Sequence, residues 1–151
     1  MRRLGIVTVL LAAVAVAVGA CSKSVTPGAA TTTTAASLPF ESSPSKDELA
    51  RVAGLRFPVS TAGYQSVRVD PSELDVSFTI AATDVDGFAS GSGLGPLAQG
   101  RVIQHGSPVF PQNPTGTVRS AVSTHGRVTR VVEVVDDPGQ PTSIRLIVTS
   151  T

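Results

Sequence analysis

The sequence predicts an α+β domain: a single small body built on a mainly antiparallel sheet of four to six strands, with two short helices on one face and a three-strand meander at the C-terminal end. Three observations carry this prediction. Residues 117–123, 127–135 and 143–149 are β-rich runs separated by Thr-His-Gly and by Asp-Asp-Pro-Gly-Gln-Pro, both turn compositions. Leu74, Val76, Phe78 and Ile80 alternate with Asp75, Ser77 and Thr79, the period-two pattern of a half-buried strand. Two short apolar periods, one after Ser45 and one after Thr83, carry helix punctuation.

In chain order, Ser45 is placed to cap a first helix, with Glu48 three residues on completing a capping box. Leu49, Val52 and Ala53 share one face of that helix, and Gly54 stops it ahead of Pro58. Residues 64–69 read as a strand, and Asp70-Pro71-Ser72 turns the chain into the alternating run 74–80. Thr83 is expected to cap a brief helix through Val85, Phe88 and Ala89, ended by Gly91, Gly93 and Gly95. The stretch 95–115 holds four prolines and no sustained period, so it reads as an irregular connection with a short strand at Arg101-Val102-Ile103. In the final hairpin, setting Glu133 opposite Arg145 also sets Val132 opposite Leu146 and Val134 opposite Ile144. One register thus pairs opposite charges on one face and aliphatics on the other.

Composition narrows the function. The 151 residues carry 12 Lys+Arg against 11 Asp+Glu, a formal charge of +1 that leaves no footprint for nucleic acid. One cysteine excludes an intrachain disulfide framework and a thiolate-rich zinc site. Aromatic residues are 4% of the chain and Trp is absent, so material for a stacking platform is scarce.

Met1-Arg2-Arg3 is a cationic start, followed through Ala20 by an uncharged, mostly aliphatic stretch. Its strongly apolar part, residues 6–18, falls short of the roughly 20 residues that span a bilayer, so it reads as an export signal of the general secretory type. Val18-Gly19-Ala20-Cys21 ends it, small residues leading into the only cysteine of the chain. This run resembles the lipobox of bacterial lipoproteins. The resemblance covers the first 21 residues and implies a diacylglyceryl thioether on Cys21, which becomes the mature N-terminus of an exported protein anchored to the outer face of the cell membrane. Two acyl chains, at about 0.8 kcal/mol per buried methylene, hold a protein where one would exchange. Arginine outnumbers lysine ten to two, and Ala, Val, Gly and Thr abound, which is similar to the composition of high-GC actinobacterial proteins.

Three segments follow: a lipoprotein signal over residues 1–20, a Thr/Ser/Pro/Ala-rich tether over 21–44 and the globular body over 45–151. The tether has too little apolar surface to offset the entropy of ordering it, and about 24 residues of such chain reach roughly 25–30 Å.

The chemistry in the body is sparse. His105 and His125 are each followed by Gly, with no second ligand adjacent and no helical spacing between them, so both read as turn or surface residues. Gly91-Ser92-Gly93-Leu94-Gly95 lacks the G-x-S-x-G and P-loop patterns and reads as helix termination. Asp84-Val85-Asp86-Gly87 lacks the distal ligands of a calcium loop and reads as acids at a helix start. Asp70, Glu73, Asp75, Asp84 and Asp86 offer carboxylate pairs as any acidic surface does. No catalytic residue, metal or cofactor is expected. Residues 41–86 carry eight acids and four bases, and residues 101–151 five Arg and three acids. Arg119, Arg127, Arg130 and Arg145 fall on adjacent expected strands, where their forks suit an anion or partner contact. The expected function is a non-enzymatic binding or interaction module for an envelope protein or ligand, without nucleic acid. Its alternatives are an envelope hydrolase using His105 or His125 and a carrier of a lipid or apolar ligand.

Overall fold

The computed structural model describes residues 36–40, 42–111 and 115–151; the expected signal and Cys21 lie outside the described residues. Helix α1 (Lys46–Ala53) forms where the cap chemistry places it. Ser45 Oγ accepts the Glu48 amide at 3.3 Å, and Gly54, at φ 62°, closes the last turn by donating its amide to the Ala50 carbonyl. Asp47 and Glu48 in the first turn and Arg51 in the last complement the helix dipole. Strands β1 (Ala62–Asp70) and β2 (Glu73–Ile80) form a hairpin. At its turn, Asp70 Oδ1 accepts the Ser72 hydroxyl and amide, and those bonds hold the Asp70 carboxyl below the usual carboxylate range. A 3₁₀ turn (Ala82–Asp84) leads into α2 (Val85–Gly91), then β3 (Ala98–Gln99), β4 (Thr117–His125), β5 (Val128–Asp136) and β6 (Thr142–Ser150).

The six strands make one antiparallel sheet in the order β1-β2-β6-β5-β4-β3, so the C-terminal strand fills the centre, between the first hairpin and the rest of the meander. Glu133 stands opposite Arg145, Val132 opposite Leu146 and Val134 opposite Ile144. The expected register therefore forms.

Both helices pack on one face. Leu74, Val76, Phe78 and Ile80 point to it with Val132, Val134, Ile144, Leu146 and Val148, and they meet Leu49 and Ala53 of α1 and Val85, Phe88 and Ala89 of α2. Phe57, Phe78 and Phe88 stack edge to face at 5.1 and 5.6 Å.

Four expectations need correction. The body begins before residue 45: Leu38 and Phe40 are both in the core, the Leu38 amide bonds the Pro71 carbonyl at 2.9 Å, and Tyr64 Oη and Ser66 Oγ donate to the Pro44 carbonyl. Two large apolar side chains outweigh a composition that otherwise reads as tether. Thr83 does not cap α2; it is exposed within the 3₁₀ turn, and Asp84 takes the N-cap position without a side-chain bond. Residues 101–103 are not a strand, because the Val102 and Ile103 amides bond a side chain and the short strand falls at Ala98–Gln99 instead. Finally, β2 is not half-buried: Asp75 and Ser77 are covered as well. The irregular connection crosses that second face, where Ile103 and Phe110 pack on Ile147, with Val109 and Val131 beside them.

Candidate functional site

The second face of the sheet carries the polar residues that the two-residue period turns away from the core. Glu133 organises it. Its Oε1 accepts the Val102 and Ile103 amides at 2.8 and 2.7 Å, the first partly and the second fully covered, and its Oε2 pairs with the buried Arg145 Nη1 at 3.0 Å. Arg145 in turn lies under the Phe110 ring, its Cζ 4.8 Å from the centroid. One carboxylate thus fastens the crossing segment at its start, and the arginine it holds meets the segment's other anchor.

Between these two anchors the segment carries His105. Its Nε2 stands 3.4 Å from Asp75 Oδ2 and 3.6 Å from Glu73 Oε1. Glu73 and Asp75, two apart on β2, face the same side. Asp75 is 0% exposed, and its Oδ1 has no hydrogen-bond partner; the side chains of Glu73 and His105 are 26% and 44% exposed. The cluster is therefore sealed below and open above. Ser107 Oγ, two residues beyond His105, is buried and has no hydrogen-bond partner, so no serine–histidine dyad is formed there.

The expectation that the histidines lack converging partners is corrected for His105. Asp75 lies 30 residues away, on a strand whose second face was expected to be solvated. His125 is different: its ring lies against Gly54, where an added Cβ would come within 2.5 Å of the imidazole, and among the described residues no carboxylate pairs with it.

The four arginines do not converge on one site. Arg119 pairs with Asp136 at 3.0 Å, Arg127 is exposed in the β4–β5 turn, and Arg145 is held by Glu133. Arg130 is buried on the helix side of the sheet and donates to the carbonyls of Ala53, Ser92 and Gly93 at 2.9, 2.7 and 3.1 Å. It thereby binds the negative C-terminal ends of both helices to β5. Burial pulls its guanidinium below the ordinary arginine value. Gly93 and Gly95, at φ 60° and 78°, shape the loop that presents two of those carbonyls.

Among the described residues, open surface depressions of about 290 to 590 Å³ lie beside α2 and Arg119, beside Gly54 and His125, beside Asp136 and Thr142, and beside Val52 and Val128, away from Glu73, Asp75 and His105. Among the described residues no helix is long and apolar enough to cross a membrane. The fold and the cluster define a small antiparallel α+β domain with an acid–imidazole site on the sheet face opposite its helices. No protein-family model, no curated protein and no solved structure matches the chain.

Proposed function

We propose that the protein is an exported lipoprotein, anchored to the outer face of the cell membrane through a diacylglyceryl group on Cys21, and that its body is a non-enzymatic binding module for an envelope protein or ligand. The anchor rests on the order of cationic start, aliphatic stretch and Val18-Gly19-Ala20-Cys21. The observation that carries the binding reading is the Glu73–Asp75–His105 cluster, a preorganised set of polar atoms partly open to solvent, with no nucleophile among the described residues hydrogen-bonded to the imidazole. A hydrolase working through a covalent enzyme intermediate would need that nucleophile, and the only thiol of the chain is the lipid acceptor. A carrier of apolar ligands is disfavoured by side chains filling the space between sheet and helices.

Fatty-acid labelling of the full chain in a bacterial host tests the anchor. Wild-type protein is expected to take label and sediment with membranes, and Cys21→Ser to do neither. Label persisting in Cys21→Ser refutes the lipoprotein reading. Turnover of simple acyl esters by the purified chain, abolished in His105→Ala, would refute the non-enzymatic one.

A further inference from the structure

Glu73, Asp75 and His105 present one donor atom each, and these atoms all lie within 4.8 Å of one another. The separations of 3.4 and 3.6 Å from His105 Nε2 are long for a charge-assisted N–H···O bond, which runs about 2.7–2.9 Å. They match the edge of a coordination tetrahedron instead: ligands about 2.0–2.2 Å from a zinc ion stand about 3.3–3.6 Å apart. A second, independent observation is Asp75 itself. Its carboxylate is fully buried, Oδ1 has no partner, and no Lys or Arg among the described residues pairs with it. Arg145, two register positions along on the same face, is taken by Glu133. Apart from His105 itself, this buried carboxylate has no basic partner among the described residues to offset its desolvation.

We infer that Glu73 Oε1, Asp75 Oδ2 and His105 Nε2 bind a divalent first-row transition ion of the zinc class. Two carboxylates balance its charge, and an imidazole selects it over magnesium and calcium, which favour all-oxygen shells. Three protein ligands leave the fourth position of a tetrahedron to water or a ligand on the open side of the cluster. The ion would join the crossing segment to β2. The inference deepens the reading of this face as the binding site and is independent of the anchor at Cys21.

The test is zinc titration by calorimetry on the full chain, purified in detergent and stripped with chelator, repeated with cobalt(II) for the absorption of a four-coordinate site. One zinc per chain is expected at micromolar concentration. His105→Ala and Glu73→Gln should each weaken it by more than about tenfold, as losses around metal sites do, whereas His125→Ala should leave it unchanged. Glu73 is partly exposed, so its variant separates ligand loss from unfolding, with circular dichroism as the check on fold. Absence of saturable binding by wild-type protein, or unchanged affinity in His105→Ala, overturns the inference. If zinc fails to bind while Cys21 still takes fatty-acid label, the metal site falls and the lipoprotein reading stands; if zinc binds and no label is taken, the metal site stands and the anchor falls.

Discussion

Glu133 fastens the crossing segment to the sheet, and its removal has a cost that follows from its bonds. Glu133→Ala leaves the Arg145 guanidinium buried without its counter-charge, a loss of about 3–5 kcal/mol. It also leaves two amides without an acceptor. That of Ile103 is buried and costs about 1–3 kcal/mol, while the Val102 amide, only partly covered, can turn to water. The sum of about 4–8 kcal/mol is comparable with the whole stability of an ordinary domain, about 5–15 kcal/mol. Glu133→Gln keeps an acceptor for the two amides but removes the charge and turns an amide donor toward the Arg145 guanidinium. Urea unfolding measures the total, and hydrogen exchange at the Val102 and Ile103 amides separates the parts. Protection should survive in the Gln variant and vanish in the Ala variant. A Glu133→Ala stability within about 1 kcal/mol of wild type would refute the reasoning, because a buried carboxylate with three bonds cannot be that dispensable. Release of the segment should also carry His105 away from Glu73 and Asp75, so any ligand held by the cluster should be lost with it.

Leu38→Ala should cost about 2–5 kcal/mol and Phe40→Ala about 3–5 kcal/mol in urea unfolding, as buried side chains do; midpoints equal to wild type would return the start of the body to residue 45. Tyr64 is the only tyrosine, so tyrosinate absorbance reads it alone. Burial pushes its phenol up, partly offset by the Ser66 hydroxyl, and the folded chain should ionise above the ordinary tyrosine value of about 10. Stability tied to Tyr64 is then intact below that value and falls as pH rises through the unfolded and then the folded pKa. Tyr64→Phe should flatten this alkaline loss, and a folded-state midpoint at or below that of the urea-unfolded chain would contradict the assignment.

What the sequence by itself determined rests on short-range rules. The limits of α1 follow from Ser45, whose hydroxyl accepts the Glu48 amide, and from Gly54, because capping is satisfied within four residues. The β5–β6 register follows from charges and aliphatics that coincide in one alignment, because a one-residue slip would turn every side chain to the wrong face. The β2 period showed which residues share a side, and Leu74 to Ile80 do reach the core. Periodicity says nothing of whether the other side is covered, and that was decided by tertiary structure. The proline-rich stretch lies down on the second face because Glu133, some 30 residues downstream, accepts its amides. The same contact puts His105 over Asp75 and buries a strand position that alternation assigns to solvent. Arg130 reads in sequence like any sheet-surface arginine, yet it lies between two helix ends whose carbonyls converge only in the folded chain. Leu38 and Phe40 stand among residues of linker composition and are held by a pocket they do not adjoin in sequence. Local propensity sets how each segment is built, but which surfaces meet depends on hydrogen bonds and apolar contacts between segments far apart in the chain, and those carry no period to read.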